Sequence, residues 1–185
     1  MTSPTPDEHS DLYKTWVMLL NGYGYNWYRK ENQLRADDLL VREHAGRFIV
    51  EAAKKLQEQE ADYARRFLPA PTRENPFPAD DKLATHALIR STRQNLLALE
   101  ARIRGLSAPP TDRIWQRHRS EVDLLASLTS MDVQLVGLSR EIDNEAARLD
   151  LEAWSHPERL EPLGDSVQKI ERLIAERVEL LLRAT

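Results

Sequence analysis

The chain has 185 residues, with 26 Lys and Arg against 30 Asp and Glu, a formal net charge of −4 and no cysteine. Without cysteine there is no disulfide framework, thiolate zinc site, iron–sulfur cluster or cysteine nucleophile, and the net negative charge disfavours nucleic acid as a partner held by bulk electrostatics. The 41 % apolar and 30 % charged shares belong to a chain that folds and carries much charged surface.

Residues 1–9 read as a disordered polar tail containing Pro4 and Pro6. They carry no basic leader, and the longest apolar run, Trp16 to Leu20, is far shorter than the about 20 residues of a bilayer span. A soluble cytoplasmic protein with no membrane partner is expected. Ser10 and Asp11 can cap a short helix over 11–20 that carries Leu12, Trp16, Leu19 and Leu20 on one side. Asn21-Gly22-Tyr23-Gly24 follows as a turn. Half of the twelve aromatic residues fall in this stretch: Tyr13, Trp16, Tyr23, Tyr25, Trp27 and Tyr28. They can close a hairpin onto the next helix. Tyr and Trp near an Arg are also the side chains that dominate protein–protein hot spots, which makes this segment the expected interface. Stacking of a nucleic-acid strand is opposed by Glu31, Asp37 and Asp38, interleaved with Arg29, Lys30 and Arg35.

Proline and glycine then punctuate the chain. Pro69, Pro71, Pro76 and Pro78 separate a first long segment, 26–68, from a second, 79–106; Gly105, Pro109 and Pro110 precede a third, 111–153; Pro157, Pro162 and Gly164 precede a fourth, 165–184. All four are rich in helix formers and nearly free of internal breakers. Apolar residues recur at spacings of three and four. The first stripe is Trp27, Leu34, Val41, Ala45, Phe48, Ala52, Leu56, Tyr63 and Phe67. The second runs through Thr85, Ile89, Thr92, Leu96, Leu99, Ile103 and Leu106. The third holds Leu124, Leu128, Met131, Leu135, Leu138, Ile142 and Leu149, and the fourth Val167, Ile170, Ile174, Val178 and Leu181. Asp80 and Asp81, Thr111 and Asp112, and Asp165 and Ser166 stand where helix N-termini need oxygens and negative charge.

The predicted fold is all-α, an antiparallel four-helix bundle with long unequal helices and an additional short N-terminal aromatic helix or hairpin, in one domain over 10–185. At 1.5 Å per residue the first and third helices run about 60 Å and the others about 40 and 30 Å. Helix one should therefore overhang at its N-terminal end and helix three at its C-terminal end. Each overhang needs a cover, from residues 11–25 and the fourth helix or from a second subunit. No alternating strand and no internal repeat is found.

Catalytic constellations of any specificity are missing. None of His9, His44, His86, His118 and His156 has a Glu three residues earlier, so the Glu-x-x-His pairs of di-iron bundles are absent, as is His-Glu-x-x-His. Glu43, His44, Glu121 and Glu145 remain as an irregular metal alternative. No glycine-rich phosphate loop occurs. No cofactor, metal or catalytic residue is assigned. Charge is unevenly spread: 82–119 carries eight basic residues against two acidic, and 121–165 eleven acidic against three basic. Arg102, Arg104, Arg113, Arg117 and His118 gather at the corner between helices two and three, an alternative site for an anion or nucleic acid. Arg113 and His118 also resemble the loose Arg-x-x-x-x-His pattern of the HEPN ribonuclease superfamily. That resemblance implies acid–base cleavage by His118 with Arg113 holding phosphate, although Ile114 stands where a polar residue usually follows the Arg. The leading expectation is a non-enzymatic bundle that acts through protein contacts, as a homodimer or a subunit of an assembly.

Overall fold

The computed structural model describes residues 27–70, 72–73, 77–106 and 121–184. Among them are four α-helices and no strand: α1 Trp27–Phe67, α2 Asp80–Arg104, α3 Glu121–Arg148 and α4 Pro157–Ala184, with a 3-10 turn at Ala153–Ser155 before α4. The chain divides into two compact units, Met1–Leu39 and Leu40–Thr185. Of the first, the described part is the start of α1. The aromatic segment over 11–25, which was expected to cover that end, lies outside the described residues, as does the start predicted for helix three.

In the second unit, consecutive helices run antiparallel. Arg42 of α1 donates to the carbonyl of Leu106 beyond the end of α2, while Glu60, five turns on, meets Arg93. Similarly, Asp132 of α3 faces Arg177 of α4. The two hairpins are joined side by side. Lys55 of α1 donates to the Asp143 carboxylate of α3 at 2.6 Å, and Arg102 of α2 pairs with Glu171 of α4 at 2.6 Å. Gly46 of α1 leaves room for Glu100 of α2, since a Cβ there would lie 3.3 Å from a Glu100 carboxylate oxygen.

The core follows the expected rhythm, with shifts that have physical causes. On α2, Ile89, Leu96, Leu99 and Ile103 are all buried, as read from the stripe. On α1 Ile49 is fully buried, whereas its neighbour Phe48 is half-buried and Phe67 is 40 % exposed. On α3 the buried seam passes through Leu128, Asp132, Leu135, Ser139, Ile142, Ala146 and Leu149. It takes Asp132 and Ser139 where the apolar stripe took Met131 and Leu138. Ser139 is tolerated because its hydroxyl donates to the Leu135 carbonyl at 2.8 Å, one turn back. Asp132 is tolerated because α4 sends in Arg177, 3 % exposed, with its Nε 3.6 Å from the carboxylate. The fourth stripe shifts to match, and Val178 is left 45 % exposed.

Two boundaries differ from the sequence reading. Helix three ends at Arg148 rather than near 153. There Asp150 accepts a 2.8 Å bond from the Ala153 N–H and turns the chain into the 3-10 segment. Helix four begins at Pro157 rather than 165 and runs through Pro162 and Gly164. Proline is preorganised at a first helical position, His156 before it is extended, and burial of Leu163 and Ser166 holds the early turns despite the breakers. Asp165 and Ser166 are thus interior to α4 and cap nothing. The expected C-terminal overhang of helix three does not form. The Leu149 carbonyl lies beside Gln59 of α1, two turns short of the end of α1, and α4 folds back along α3 in the same chain. Helix three is continuous through Gly137.

Removing one member of the Asp132–Arg177 pair leaves a buried charge without its counter-ion. Asp132→Ala should cost about 3–5 kcal/mol in urea unfolding, and Asp132→Leu with Arg177→Met should recover most of it. Equal losses in the single and double variants would contradict this account of the pair.

Candidate functional site

One turn of α1 links three other elements. Gln59 donates through Nε2 to the Leu149 carbonyl at 2.6 Å and accepts from the buried Trp154 indole N–H at 2.7 Å. Glu60, mostly buried, takes Arg93 Nε at 2.8 Å and Arg90 Nε at 3.5 Å, with His86 Nε2 at 3.9 Å. Lys55, one turn earlier, holds Asp143. This cluster is structural in form, since each group is met by a neighbouring helix.

At this end of the bundle lies a cleft of about 670 Å³ between the end of α1, the start of α2 and the 3-10 turn, bordered by Tyr63, Arg66, Phe67, Lys82, Asp150 and Glu152 among others. The rings of Tyr63 and Phe67 are tilted at 4.7 Å. Lys82 sits 5.3 Å over Phe67 and 3.5 Å from Asp81. Asp150 is clamped by Arg159 at 3.1 Å and by the Ala153 N–H. The Arg159 guanidinium, followed by that N–H, holds the Asp150 carboxyl below the usual carboxylate range. Lys82 and Asp150 at this rim are thus each engaged with a neighbouring charge. A second groove, about 420 Å³, runs between α3 and α4 past Gln134, Gly137, Glu141, Lys169 and Arg172.

The outer face of α2 has a different character. Between Leu83 and Ala101 eleven residues are exposed, and Arg90 alone among them is charged, in a chain that is 30 % charged. Along the centre of this face run Leu83, Ala87, Arg90, Gln94, Leu97 and Ala101, spaced alternately by four and three. Leu83 is 43 % and Leu97 41 % exposed. The orientation of α2 explains the depletion of charge. Its Arg93 is drawn to Glu60 on one flank and its Arg102 to Glu171 on the other, so alanine and leucine are left facing outward. The sequence reading followed the buried stripe of this helix and missed the outward one. The signal was present as a second three-and-four rhythm, marked by lack of charge more than by hydrophobicity.

Of the expected site residues, Tyr13, Trp16, Tyr23 and Tyr25 lie outside the described residues, and Trp27 and Tyr28 enter only as the first residues of α1. In the basic corner, Arg102 pairs with Glu171 and Arg104 with Glu100 at 2.5 Å. Arg113, Arg117 and His118 lie outside the described residues. Among the described residues no group of three His, Asp or Glu is placed to hold a metal ion. Of the irregular metal alternative, His44 contacts Arg47 and Glu145 accepts from Arg148 at 2.6 Å. No helix among the described residues is long and apolar enough to cross a membrane.

Two substitutions probe this end of the bundle. Gln59→Leu strands the Trp154 N–H and the Leu149 carbonyl and should cost about 1–3 kcal/mol, read from urea unfolding followed by Trp fluorescence; no change would show that the bridge is dispensable. For Asp150 the native pKa is depressed, so its contribution is complete at neutral pH. That contribution is lost as pH falls from the ordinary Asp value of about 3.9 through the lower native one. Carboxyl NMR titration should find Asp150 below the ordinary value and rising toward it in Arg159→Ala, whereas an unchanged titration in that variant would contradict the clamp. No family model matches this chain, and comparison with curated proteins and with solved structures gives no match.

Proposed function

We propose that this protein is a non-enzymatic helical bundle that works through protein–protein contacts in the cytoplasm, as a homodimer or as a subunit of a larger assembly. The observation that carries the reading is the outer face of α2. A soluble helix facing only water normally carries charge at its outermost positions, yet here leucine and alanine hold four of the six and Arg90 is the one charge. Interface centres are depleted of charge in the same way. The ion pairs favour this over an anion site on the same helix, because Arg93, Arg102 and Arg104 each already hold a glutamate. The aromatic run from Tyr13 to Tyr28 supports the reading independently, through composition.

Sedimentation equilibrium of the full chain at micromolar concentration tests it. A mass above the 21.3 kDa of one chain is expected, rising with concentration. A 21.3 kDa species throughout the range would contradict self-association. If the aromatic segment contributes, Trp16→Ala with Trp27→Ala lowers the mass.

A further inference from the structure

We infer that the outer face of α2 binds the same face of a second copy of this chain, antiparallel, about a two-fold axis between Arg90 and Gln94. This rests on the self-association proposed above and specifies its surface and geometry. The stripe on α2 complements itself in size when one copy is reversed against the other. With the axis between Arg90 and Gln94, Leu83 meets Ala101 of the second copy and Ala87 meets Leu97, so each large side chain falls opposite a small one. Arg90 meets Gln94, whose amide oxygen accepts from a guanidinium that already leans on Glu60.

The rhythm continues by one step at each end, to Asp80 and Arg104. In the reversed pairing these meet each other, acid against base, at both ends of the contact. Arg104 is engaged with Glu100 on its own helix but is 75 % exposed, and a guanidinium has five donors, enough to serve both carboxylates. A parallel pairing would set Asp80 on Asp80 and Arg104 on Arg104, which like-charge repulsion disfavours. The 25-residue helix offers a contact roughly 38 Å long. Ala87 and Ala101, each opposite a leucine, let the axes approach at the short end of the about 8–10 Å range of packed helices. An isologous interface demands that a patch complement itself under a two-fold axis, and this stripe does so in both size and charge.

The absence of native cysteine makes the geometry directly testable. In the full chain, Ala87→Cys with Leu97→Cys should form intermolecular disulfides under mild oxidation and run as a covalent dimer on non-reducing gels. Ala87→Cys alone should give little, because the two copies of residue 87 lie about 15 Å apart along the pair, beyond the about 7 Å limit between bridged Cα atoms. Leu97→Glu, at an exposed position, should leave the helical circular dichroism spectrum nearly unchanged while lowering the sedimentation mass toward one chain. If the wild type is dimeric but Leu97→Glu does not dissociate it and the double-cysteine variant stays uncross-linked, the α2 surface is wrong while self-association stands. If Ala87→Cys alone cross-links as well as the pair, the antiparallel register is wrong. A monomeric wild type overturns the surface and the self-association together.

Discussion

The rotation of α2 about its own axis depends on Glu60. This carboxylate projects from α1 into the flank of α2 and gathers Arg93, Arg90 and His86, while Arg102 is held on the opposite flank by Glu171 of α4. Between these two ties Ile89, Leu96, Leu99 and Ile103 turn inward. A helix held by its core and both flanks has one orientation left, and the remaining face is Leu83, Ala87, Arg90, Gln94, Leu97 and Ala101. The charges that hold the fold together are therefore the reason why the outermost surface of this helix keeps only one, Arg90. Gln59, next to Glu60, ties the same turn of α1 to Leu149 and Trp154, so the position of the 3-10 turn follows from the same short stretch.

A second polar tie works inside the α3–α4 hairpin. Asp132 and Arg177 occupy seam positions where leucine would pack, and each is buried. Such a pair contributes little net stability compared with apolar side chains of similar volume, but either member alone is costly to bury. It makes one register of α3 against α4 favourable and a slipped register unfavourable. Ser139, two turns from Asp132, is buried with its hydroxyl satisfied within its own helix and so leaves the register to the charged pair.

The fold class, the four helices and the inner face of α2 were legible in the sequence, because proline and glycine mark most boundaries and the apolar rhythm of Ile89 to Ile103 is undisturbed. Where the reading slipped, a polar residue stood on a seam or a breaker stood within a helix. Asp132 and Arg177 look solvent-facing one at a time, since their burial depends on a partner 45 positions away in sequence. Pro162 and Gly164 look like a helix boundary locally, and it is the burial of Leu163 that carries the helix across them. Asp150 likewise gives no sign by itself that it ends α3. The candidate surface was less legible than the fold. Searching for aromatic residues and clustered charge finds the N-terminal segment and the basic corner, whereas the outer stripe of α2 is distinguished by what it lacks.

The central claim is that α2 of one copy lies antiparallel on α2 of another. Isotope-filtered NOE spectroscopy on a mixture of ¹³C-labelled and unlabelled chains reads that contact without altering the sequence. The account predicts intermolecular cross-peaks from the methyl groups of Leu97 to that of Ala87, and from those of Leu83 to that of Ala101. Intermolecular cross-peaks confined to other helices, or joining Leu97 to Leu97, would contradict it.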